Sequence, residues 1–393
     1  MSKDFKRLLD LSLPAGQSAF LWGPRQTGKS TFLRTRFADA RWIDLLDFDL
    51  ALALTKRPSL LREWLRTLSV EERKHPVVID EVQKVPGLLD EIHYLIEKEG
   101  LSFVLCGSSA RKLKRGQANL LGGRAWRYEM FPLISAEIGD LSLLRALQHG
   151  LLPRHYLQDN AERSLHAYTN DYLKEEIMSE GLVRNLPAFA RFLDVVGFSC
   201  GELVNHASIA RDVGVDAKTV REYFQILVDT LIGSLVAPFH SRRGRQTLSA
   251  IPRFYLCDVG LSNHLSRRSV LALKGSEAGR AFECFVFMEL RAYLSYRGKP
   301  GELNYWRTKT GLEVDFVWSG EKLVAIEAKI SDRLDPHDLK GLKAFCEDAG
   351  PADAFVVCQE KHPRIVELGS GQTVSILPWR DFLKQLWADQ IFH

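Results

Sequence analysis

The sequence predicts an α/β protein of several domains, with a parallel sheet in the first third of the chain and a second α/β domain in the last third. The length of 393 residues exceeds what one ordinary hydrophobic core supports. The first third alternates short apolar runs with helical segments, as in "QSAFLWGPRQTGKSTFLRTRF", which is the pattern of a parallel sheet. The last third contains a long helical segment followed by the apolar runs "EVDFVW" and "KLVAIEAK", which are typical of strands.

The composition is that of an ordinary globular protein, with 46% hydrophobic and 26% charged residues. The net charge of +4 is small, so a nucleic-acid surface would have to come from local basic patches. The six cysteines are scattered without a C-x-x-C pair, which indicates free thiols in a reducing compartment. No apolar run could span a bilayer, and the N-terminal segment does not have the pattern of a signal peptide. We therefore expect a cytoplasmic protein.

A phosphate-binding loop is predicted where the first strand meets the first helix. The strand is residues 18–22, and the stretch "GPRQTGKST" after it fits the pattern G-x-x-x-x-G-K-[ST]. Its glycines let backbone N–H groups point at phosphate oxygens, Lys29 would reach the β- and γ-phosphates, and the Ser30 hydroxyl would bind Mg²⁺. The pattern therefore predicts ATP and Mg²⁺ as ligands. The residues expected at the nucleotide are Gly23, Pro24, Arg25, Gln26, Thr27, Gly28, Lys29, Ser30 and Thr31.

Two further strands end in polar residues that suit the same site. The buried run at residues 77–79 is followed by Asp80, predicted to hold Mg²⁺ through water, and by Glu81, predicted to polarise the attacking water. The stretch "RWIDLLD" supplies a strand between this run and the loop. The apolar run in "LSFVLCGSSARKL" ends before Ser108 and Ser109, and we expect one of these serines to sense the γ-phosphate. The alternative for either serine is a helix N-cap.

A basic segment, "RKLKRGQANLLGGRAWR", follows the third of these strands and contains no acidic residue. Arg124 comes directly after its double glycine, and we interpret it as a candidate arginine finger that completes the site of a neighbouring subunit. That interpretation implies a homo-oligomer, and a ring is expected. A solvated loop and helix surface is the alternative. Arg25 is a further candidate for contact with phosphate or DNA.

The middle third is predicted to be helical and then to contain a winged helix. A short helix at residues 206–213 is followed by a turn at Gly214 and a second helix at residues 216–229, with Asp216 as its N-cap. Val220, Phe224, Leu227 and Val228 are expected to face the core, and Lys218, Thr219, Arg221 and Glu222 to face outward.

Two apolar strands come next, in "LVAPF" and "PRFYLCD", and the basic stretch "HSRRGRQTL" joins them. Arg242, Arg243 and Arg245 at this tip could lie against a DNA backbone, so DNA is a predicted partner. The alternative is a winged helix that packs subunits and has a merely solvated tip.

The strand pair "LEVDFVWSGEKLVAIEAK" contains a candidate metal site. Glu327 and Lys329 are two residues apart and share a face of their strand. A three- or five-residue connection would place Asp315 opposite Glu327 on that face, and a two- or four-residue connection would separate them unless a bulge intervenes. An aligned pair can hold Mg²⁺, with Lys329 orienting or activating a water and Glu283 completing the shell from the preceding helix. An ordinary charged hairpin face is the alternative.

The chain resembles the bacterial and archaeal AAA-type ATPases that carry a C-terminal domain of unknown function similar to PD-(D/E)xK nucleases. The resemblance extends over nearly the whole chain and departs at "HGLLP", where a second glycine before the proline is expected. The matching stretches, in order, are "GPRQTGKST", "VVIDEVQKVPGLLDEI", "LCGSSARKL", "LLGGRAWRYEMFPLISAE", "HGLLP", "FYLCDVGL", "GRAFECFVFMEL", "YWRTKTGLEVDFV" and "AIEAK".

The resemblance implies a P-loop AAA-like parallel sheet with a helical lid, a winged helix and a C-terminal α/β domain of the nuclease type. It also implies that Glu283, Asp315, Glu327 and Lys329 stand where that nuclease fold keeps its catalytic residues. The expected domains are an ATPase core at 1–145, a helical lid at 146–195, a winged helix at 196–262 and the nuclease-like domain at 263–393.

Two functions from different classes remain open at the level of sequence. One is an oligomeric ATP-hydrolysing enzyme that binds and remodels or processes DNA, with a C-terminal domain that either cleaves or does not. The other is a regulatory ATPase switch that binds a protein partner or a promoter and uses the nuclease-like domain as an inactive scaffold.

Overall fold

The fold is described from a computed structural model, in which the chain divides into two compact units. The N-terminal unit comprises Arg7–Pro132 together with Asp229–Ile232, and the C-terminal unit comprises Met1–Lys6, Leu133–Val228 and Gly233–His393. No helix among the described residues is long and apolar enough to cross a membrane. The residues that the structure describes are 5–109, 121–158, 160–169, 183, 185–240, 251–369 and 371–392.

The N-terminal unit is built around a five-stranded sheet in which every neighbouring pair is parallel. The spatial order of the strands is β2-β3-β4-β1-β5, which confirms the parallel sheet expected from the sequence. Since the carboxyl ends of parallel strands meet at one edge, the loops after β1, β3 and β4 lie together. The strands are β1 (Ser18–Trp22), β2 (Trp42–Asp44), β3 (Val77–Asp80), β4 (Phe103–Gly107) and β5 (Ala125–Glu129).

Helices pack against this sheet, and its central strands are buried. All five residues of β1 and of β4 are buried, which is expected of parallel strands with both faces covered. The helix α4 contributes Leu88, Ile92 and Leu95 to the core beside the sheet. The α-helices in the described part of this unit are α1 (Lys29–Arg36), α2 (Phe48–Lys56), α3 (Leu60–Arg66) and α4 (Leu88–Glu99).

The C-terminal unit begins with short helices, as the helical spacing of its sequence predicts. Among them, α8 has Pro187 in its first turn and is capped by the Asn185 side chain, which accepts a hydrogen bond from Ala188 N at 3.1 Å. The helices are α5 (Leu143–His149), α6 (Pro153–Leu157), α7 (Ala161–Ala167) and α8 (Leu186–Val196). Single 3₁₀ turns among the described residues are Glu72–Lys74, Val82–Lys84, Leu121–Gly123, Ser135–Glu137 and Gly197–Ser199.

A helix, a turn and a second helix come next. Helix α9 (His206–Val213) ends at Gly214, whose φ of 74° is the left-handed conformation that glycine adopts without strain. Helix α10 (Ala217–Asp229) begins one residue later than the sequence suggests, because Asp216 caps it from outside: its Oδ1 accepts from Thr219 N at 2.8 Å.

Helix α10 buries Val220, Phe224 and Leu227 as expected, while Val228 is only half-buried. Lys218, Arg221 and Glu222 are exposed and Thr219 is half-buried. Strands β6 (Gly233–Val236) and β7 (Arg253–Leu256) then pair antiparallel. Arg242, Arg243 and Arg245 lie outside the described residues.

The last part of the C-terminal unit packs helices against a six-stranded mixed sheet of spatial order β12-β13-β11-β10-β9-β8. The long helix α12 (Gly275–Tyr296) is buried on most of its surface, so it carries more core residues than one apolar stripe would. The strands are β8 (Glu302–Arg307), β9 (Glu313–Ser319), β10 (Leu323–Ala328), β11 (Asp353–Cys358), β12 (Arg364–Gly369) and β13 (Gln372–Pro378). The other helices are α11 (Val259–Ser266), α13 (Lys340–Ala349) and α14 (Trp379–Trp387).

Candidate functional site

The loop between β1 and α1 has the shape of a phosphate-binding loop. Gln26 and Gly28 both have positive φ, at 63° and 89°, so the chain curls before the helix begins at Lys29. The Lys29 ammonium is buried under the loop and donates to Gly23 O at 2.8 Å and to Pro24 O at 3.0 Å. The Thr27 hydroxyl also donates to Pro24 O, at 2.8 Å. These bonds hold the loop in its curled form.

Two contacts fasten the loop to the chain after β5. A Cβ atom on Gly23 would lie 2.4 Å from the carbonyl oxygen of Met130, so only glycine fits at this position. The Arg7 guanidinium donates to Phe131 O at 2.7 Å and to Thr27 O. Arg7 was not predicted from the sequence, because nothing in the residues around it indicates a contact with Phe131, 124 positions away.

The residues predicted for Mg²⁺ are already in contact with one another. The Ser30 hydroxyl, in the first turn of α1, donates to Asp80 Oδ2 at 2.6 Å, and Asp80 is the last residue of β3. The other carboxylate oxygen, Oδ1, accepts from Glu81 N at 3.0 Å. A hydroxyl and a carboxylate are hard oxygen ligands of the kind that Mg²⁺ shares with phosphates and water. The residues present therefore fit that ion.

Glu81 lies directly after β3 with its backbone in the left-handed region, at a φ of 54°. Its carboxylate accepts a hydrogen bond from the Gln83 amide and lies 3.5 Å from the Ser108 hydroxyl, which follows β4. Gln83 also donates to Ser108 Oγ, at 3.1 Å. Arg25 from the loop approaches the other oxygen of Glu81, with a distance of 4.0 Å between Arg25 Nε and Glu81 Oε1.

These contacts unite Glu81, Gln83 and Ser108 at the nucleotide edge of the sheet. Ser108 thus lies where a sensor was expected, and it is bonded to the acidic residue that was expected to polarise water. Gln83 was missed by sequence reasoning, although the stretch "DEVQ" places it two residues after Glu81. A Cβ atom on Gly107 would lie 2.3 Å from Gln83 Oε1, so the glycine before Ser108 makes room for this amide.

Arg124 lies at the other end of the strands. It precedes β5, whose first residue pairs with Ser18 at the start of β1, and Gln17 Nε2 donates to Arg124 O at 2.9 Å. Five residues of strand at roughly 3.3 Å each separate this edge from the phosphate loop. The Arg124 side chain is 39% exposed and forms an ion pair with Glu97 of α4. Its guanidinium is therefore remote from the nucleotide loop of its own unit.

The C-terminal unit places Asp315 opposite Glu327. Strand β9 ends at Ser319 and β10 begins at Leu323, so three residues connect them, and Phe316 pairs with Ile326. This is one of the two connection lengths that the sequence analysis required for alignment. Ala328 N donates to Asp315 Oδ2 at 3.0 Å, and Asp315 N approaches Glu327 Oε2 at 3.4 Å.

Lys329 lies beside the pair, as their shared face predicts, and its ammonium is 2.7 Å from Glu327 Oε1. Burial raises the pKa of Glu327 to about 8, and the Asp315 carboxylate acts in the same direction. Burial by itself would lower the pKa of Lys329, but the Glu327 and Asp315 carboxylates outweigh it and raise that pKa above its ordinary value. Lys329 therefore stays charged and is held by Glu327.

A cation from the chain itself lies among the other carboxylates. Arg253, the first residue of β7, has a side chain only 4% exposed. Its Nη1 is 3.3 Å from Glu283 Oε1 and 3.4 Å from Asp315 Oδ1, and its Nη2 is 2.7 Å from Glu313 Oε2. The Tyr255 hydroxyl donates to Glu283 Oε1 at 2.7 Å. We call Arg253, Glu283, Glu313 and Asp315 the Arg253 cluster.

Glu283 and Asp315 were predicted from the sequence as site residues, whereas Arg253 and Glu313 were not. Burial and the Asp315 carboxylate raise the pKa of Glu283 to about 8, whereas Arg253 acts to lower it. Across the residues that the structure describes, no three acidic, histidine or cysteine side chains are grouped so as to hold a metal ion. Of the carboxylates predicted to surround Mg²⁺, Glu283 and Asp315 thus converge on the Arg253 guanidinium, whereas Glu327 pairs with the Lys329 ammonium.

Three families match consecutive parts of the chain. Residues 16–139 match the family described as "AAA domain". Residues 141–272 match a domain of unknown function, DUF8612, and residues 278–382 match another, DUF4143.

Relatives are found in mycobacteria. Uncharacterized proteins of Mycobacterium bovis and Mycobacterium tuberculosis are each 26% identical over 322 residues, which cover 80% of this chain and 70% of theirs. Among solved structures, the ORC1 protein of Aeropyrum pernix in complex with DNA matches with 18% identity, covering 65% of this chain and 87% of its own. Its TM-score is 0.26, which is too low to support a structural or functional argument.

The family match and the geometry agree on the first third of the chain. The parallel sheet, the curled loop before α1 and the acidic pair at the end of β3 are the parts that a P-loop nucleotide site needs. Residues 16–139 therefore match the AAA domain family and have the geometry of a P-loop nucleotide-binding domain.

Proposed function

We propose that the protein hydrolyses ATP and couples this to binding and remodelling DNA. The observation that carries the ATPase part is the 2.6 Å contact between the Ser30 hydroxyl and Asp80. It joins the helix that follows the phosphate loop to the strand that carries the acidic pair, which supports Ser30 and Asp80 as the residues that would hold Mg²⁺. Mg²⁺ bound there would neutralise charge on the β- and γ-phosphates.

The protein side chains have separate roles in this proposal. Lys29 supplies a positive charge to the phosphates, and the loop of residues 23–31 supplies backbone N–H groups. Glu81 accepts a hydrogen bond from the attacking water and orients it. Gln83 and Ser108 hold the Glu81 carboxylate through their mutual contacts, so we assign them positioning roles.

We further propose that the ATPase acts as a ring-shaped homo-oligomer in which Arg124 completes the site of the next subunit. The remoteness of Arg124 from its own loop supports this, because it could then act only in trans. Its ion pair with Glu97 is exposed on both sides, and exposed ion pairs are weak because water screens them, so Glu97 would release it readily.

Mixing two inactive variants is expected to restore ATP turnover. Arg124→Ala subunits keep Lys29, and Lys29→Ala subunits keep Arg124, so a mixed interface contains both groups. Random equal mixing should give about a quarter of the wild-type turnover per subunit, measured by phosphate release at concentrations where rings form. Arg127→Ala, which removes a neighbouring exposed arginine, should stay active by itself. A monomer by light scattering with full activity would rule out the trans arrangement.

We propose DNA as the partner of the segment from α9 to β7. Two helices joined by a turn at Gly214 and followed by an antiparallel strand pair have the element order of a winged helix. Lys218 and Arg221 are exposed on the second helix, where a recognition helix meets DNA. The basic stretch between β6 and β7 would contribute phosphate contacts.

Replacing Arg242, Arg243 and Arg245 together with alanine is expected to weaken binding to every DNA sequence. Each phosphate contact releases counterions, so the slope of log affinity against log salt should become shallower by about 0.9 for each phosphate that the variant leaves unbound. Fluorescence anisotropy over a salt series measures both quantities. Replacing Lys340, Lys343 and Lys361 removes the same charge from the C-terminal sheet domain and should change neither. An unchanged slope in the arginine variant would mean that these arginines are solvated and do not contact DNA.

The regulatory-switch alternative is separated from this function by ATP turnover in the presence of DNA. The proposal expects duplex, single-stranded or branched DNA to raise turnover in the wild-type protein, with less stimulation in the triple arginine variant. Turnover indifferent to all three forms of DNA, together with a protein ligand that co-purifies, would favour the switch.

A further inference from the structure

The Arg253 cluster has the composition of a metal site but has its own cation. Glu283 comes from α12, Glu313 and Asp315 come from β9, and all three point at one guanidinium that enters from β7. A guanidinium remains protonated at any pH a protein survives, so the positive charge is permanent. Its two Nη atoms lie 2.7–3.4 Å from oxygens of all three carboxylates.

The position of the guanidinium is fixed from several sides. Arg253 lies over the Tyr305 ring, with 4.9 Å between its central carbon and the ring centroid. Its backbone belongs to the β6–β7 pair, where it is opposite Val236. Because both its backbone and its side-chain plane are held, the Arg253 guanidinium has a fixed position among the carboxylates.

Two further carboxylate oxygens beside the guanidinium also have partners. Asp315 Oδ2 accepts from Ala328 N, and Glu327 Oε1 is paired with Lys329. Asp315 therefore has one oxygen on Arg253 and the other on the backbone. A divalent ion would have to break these bonds and lie within a few ångströms of a fixed positive charge, which opposes its entry.

We propose that Arg253 is the resident cation of this site and replaces the divalent metal that its carboxylates would otherwise bind. The ion pairs of the site then hold β7 against the C-terminal sheet, and the site does not hydrolyse DNA. Removing the arginine leaves Glu283 and Asp315 without their cation, while Glu313 keeps its ion pair with Arg307, and the two freed carboxylates form a latent site for Mn²⁺ or Mg²⁺. We therefore expect the wild-type protein to show no metal-dependent nicking of DNA at this site. Any nicking that is observed should persist in Asp315→Ala.

Metal rescue of thermal stability tests this proposal in the full chain. Arg253→Met keeps much of the side-chain volume but removes the charge, and it should lower the unfolding midpoint by roughly 5–10 °C in a metal-free buffer. Millimolar Mn²⁺ without nucleotide should restore most of that decrease, while the wild-type midpoint should not respond. Electron paramagnetic resonance of free Mn²⁺ should show one additional bound ion per chain in Arg253→Met.

Three variants identify the place where the ion binds. Arg253→Met with Asp315→Asn should lose both the rescue and the additional ion. Arg253→Lys keeps a charge and should bind no ion. Arg268→Ala removes another partly buried arginine, paired with Glu277 at 3.1 Å, and should show no rescue.

Two results would overturn the proposal. One is that Mn²⁺ stabilises the wild-type protein and that Asp315→Asn abolishes this stabilisation, which would mean that the metal binds beside Arg253. The other is an Arg253→Met variant that Mn²⁺ does not rescue. A variant that folds only when Mn²⁺ is present during refolding supports the proposal, and one that fails to fold with or without the ion contradicts it.

Discussion

Replacing Glu81 with glutamine is expected to leave ATP bound but to reduce its turnover by about 10²- to 10⁴-fold, the range for loss of a general base. An amide accepts hydrogen bonds but cannot polarise a water as a carboxylate does. Glutamine has nearly the same shape, and its oxygen can still accept from Gln83. The left-handed backbone at this position carries the same strain with either side chain. Phosphate release measures turnover, and a fluorescent ATP analogue measures binding.

A control separates this effect from a general loss of acidic charge. Glu63→Gln changes an exposed carboxylate of α3 that pairs with Arg57, and it should retain full turnover. Wild-type turnover in Glu81→Gln would remove Glu81 from its proposed role. In that case Asp80 would be the acidic residue still available at the nucleotide edge of the sheet.

Several elements of both units could be predicted from local sequence. The strand at residues 18–22 and the helix at residues 206–213 of the C-terminal unit have the predicted bounds, because apolar runs and capping residues define them within a few positions. Asp216 is another local signal, since its side chain caps α10 through a residue three positions away. In each case the bonds that fix the element join near neighbours.

Contacts over long separations were not predictable. The bond from Arg7 to Phe131 spans 124 positions, and that from Arg253 to Asp315 spans 62. An arginine in a strand of mixed sequence gives no local indication that it will be buried among acids. The sequence could therefore suggest that Asp315 and Glu327 face each other, but it could not suggest that the Arg253 guanidinium lies beside Asp315.

The pairing of Asp315 with Glu327 shows an intermediate case. Their alignment depends on whether the connection has an odd or an even number of residues, and sequence could not fix where β9 ends and β10 begins. The connection has three residues, so the side chains share a face. A shift of one residue at either strand end would have separated them.

The Lys29→Ala variant is expected to lose nucleotide binding altogether. Lys29 is the buried ammonium beneath the phosphate loop, where it donates to Gly23 O and Pro24 O. Its removal takes away the charge that faces the phosphates and also releases two carbonyls that help to hold the loop curled. Lys29→Arg should not substitute for it, because a planar guanidinium cannot occupy the place of a compact ammonium.

Thermal unfolding with and without ATP separates a binding defect from a folding defect. A ligand at 100 times its Kd stabilises the folded state by about 2.7 kcal/mol, so ATP with Mg²⁺ should raise the wild-type midpoint clearly. Lys29→Ala should unfold cooperatively but show no such rise, and Lys56→Ala, at the exposed end of α2, should respond like the wild type. A full ATP-dependent rise in Lys29→Ala would show that the nucleotide binds without this lysine. The assignment of the loop as the phosphate site would then be wrong, since its only ammonium is the group that faces the phosphates.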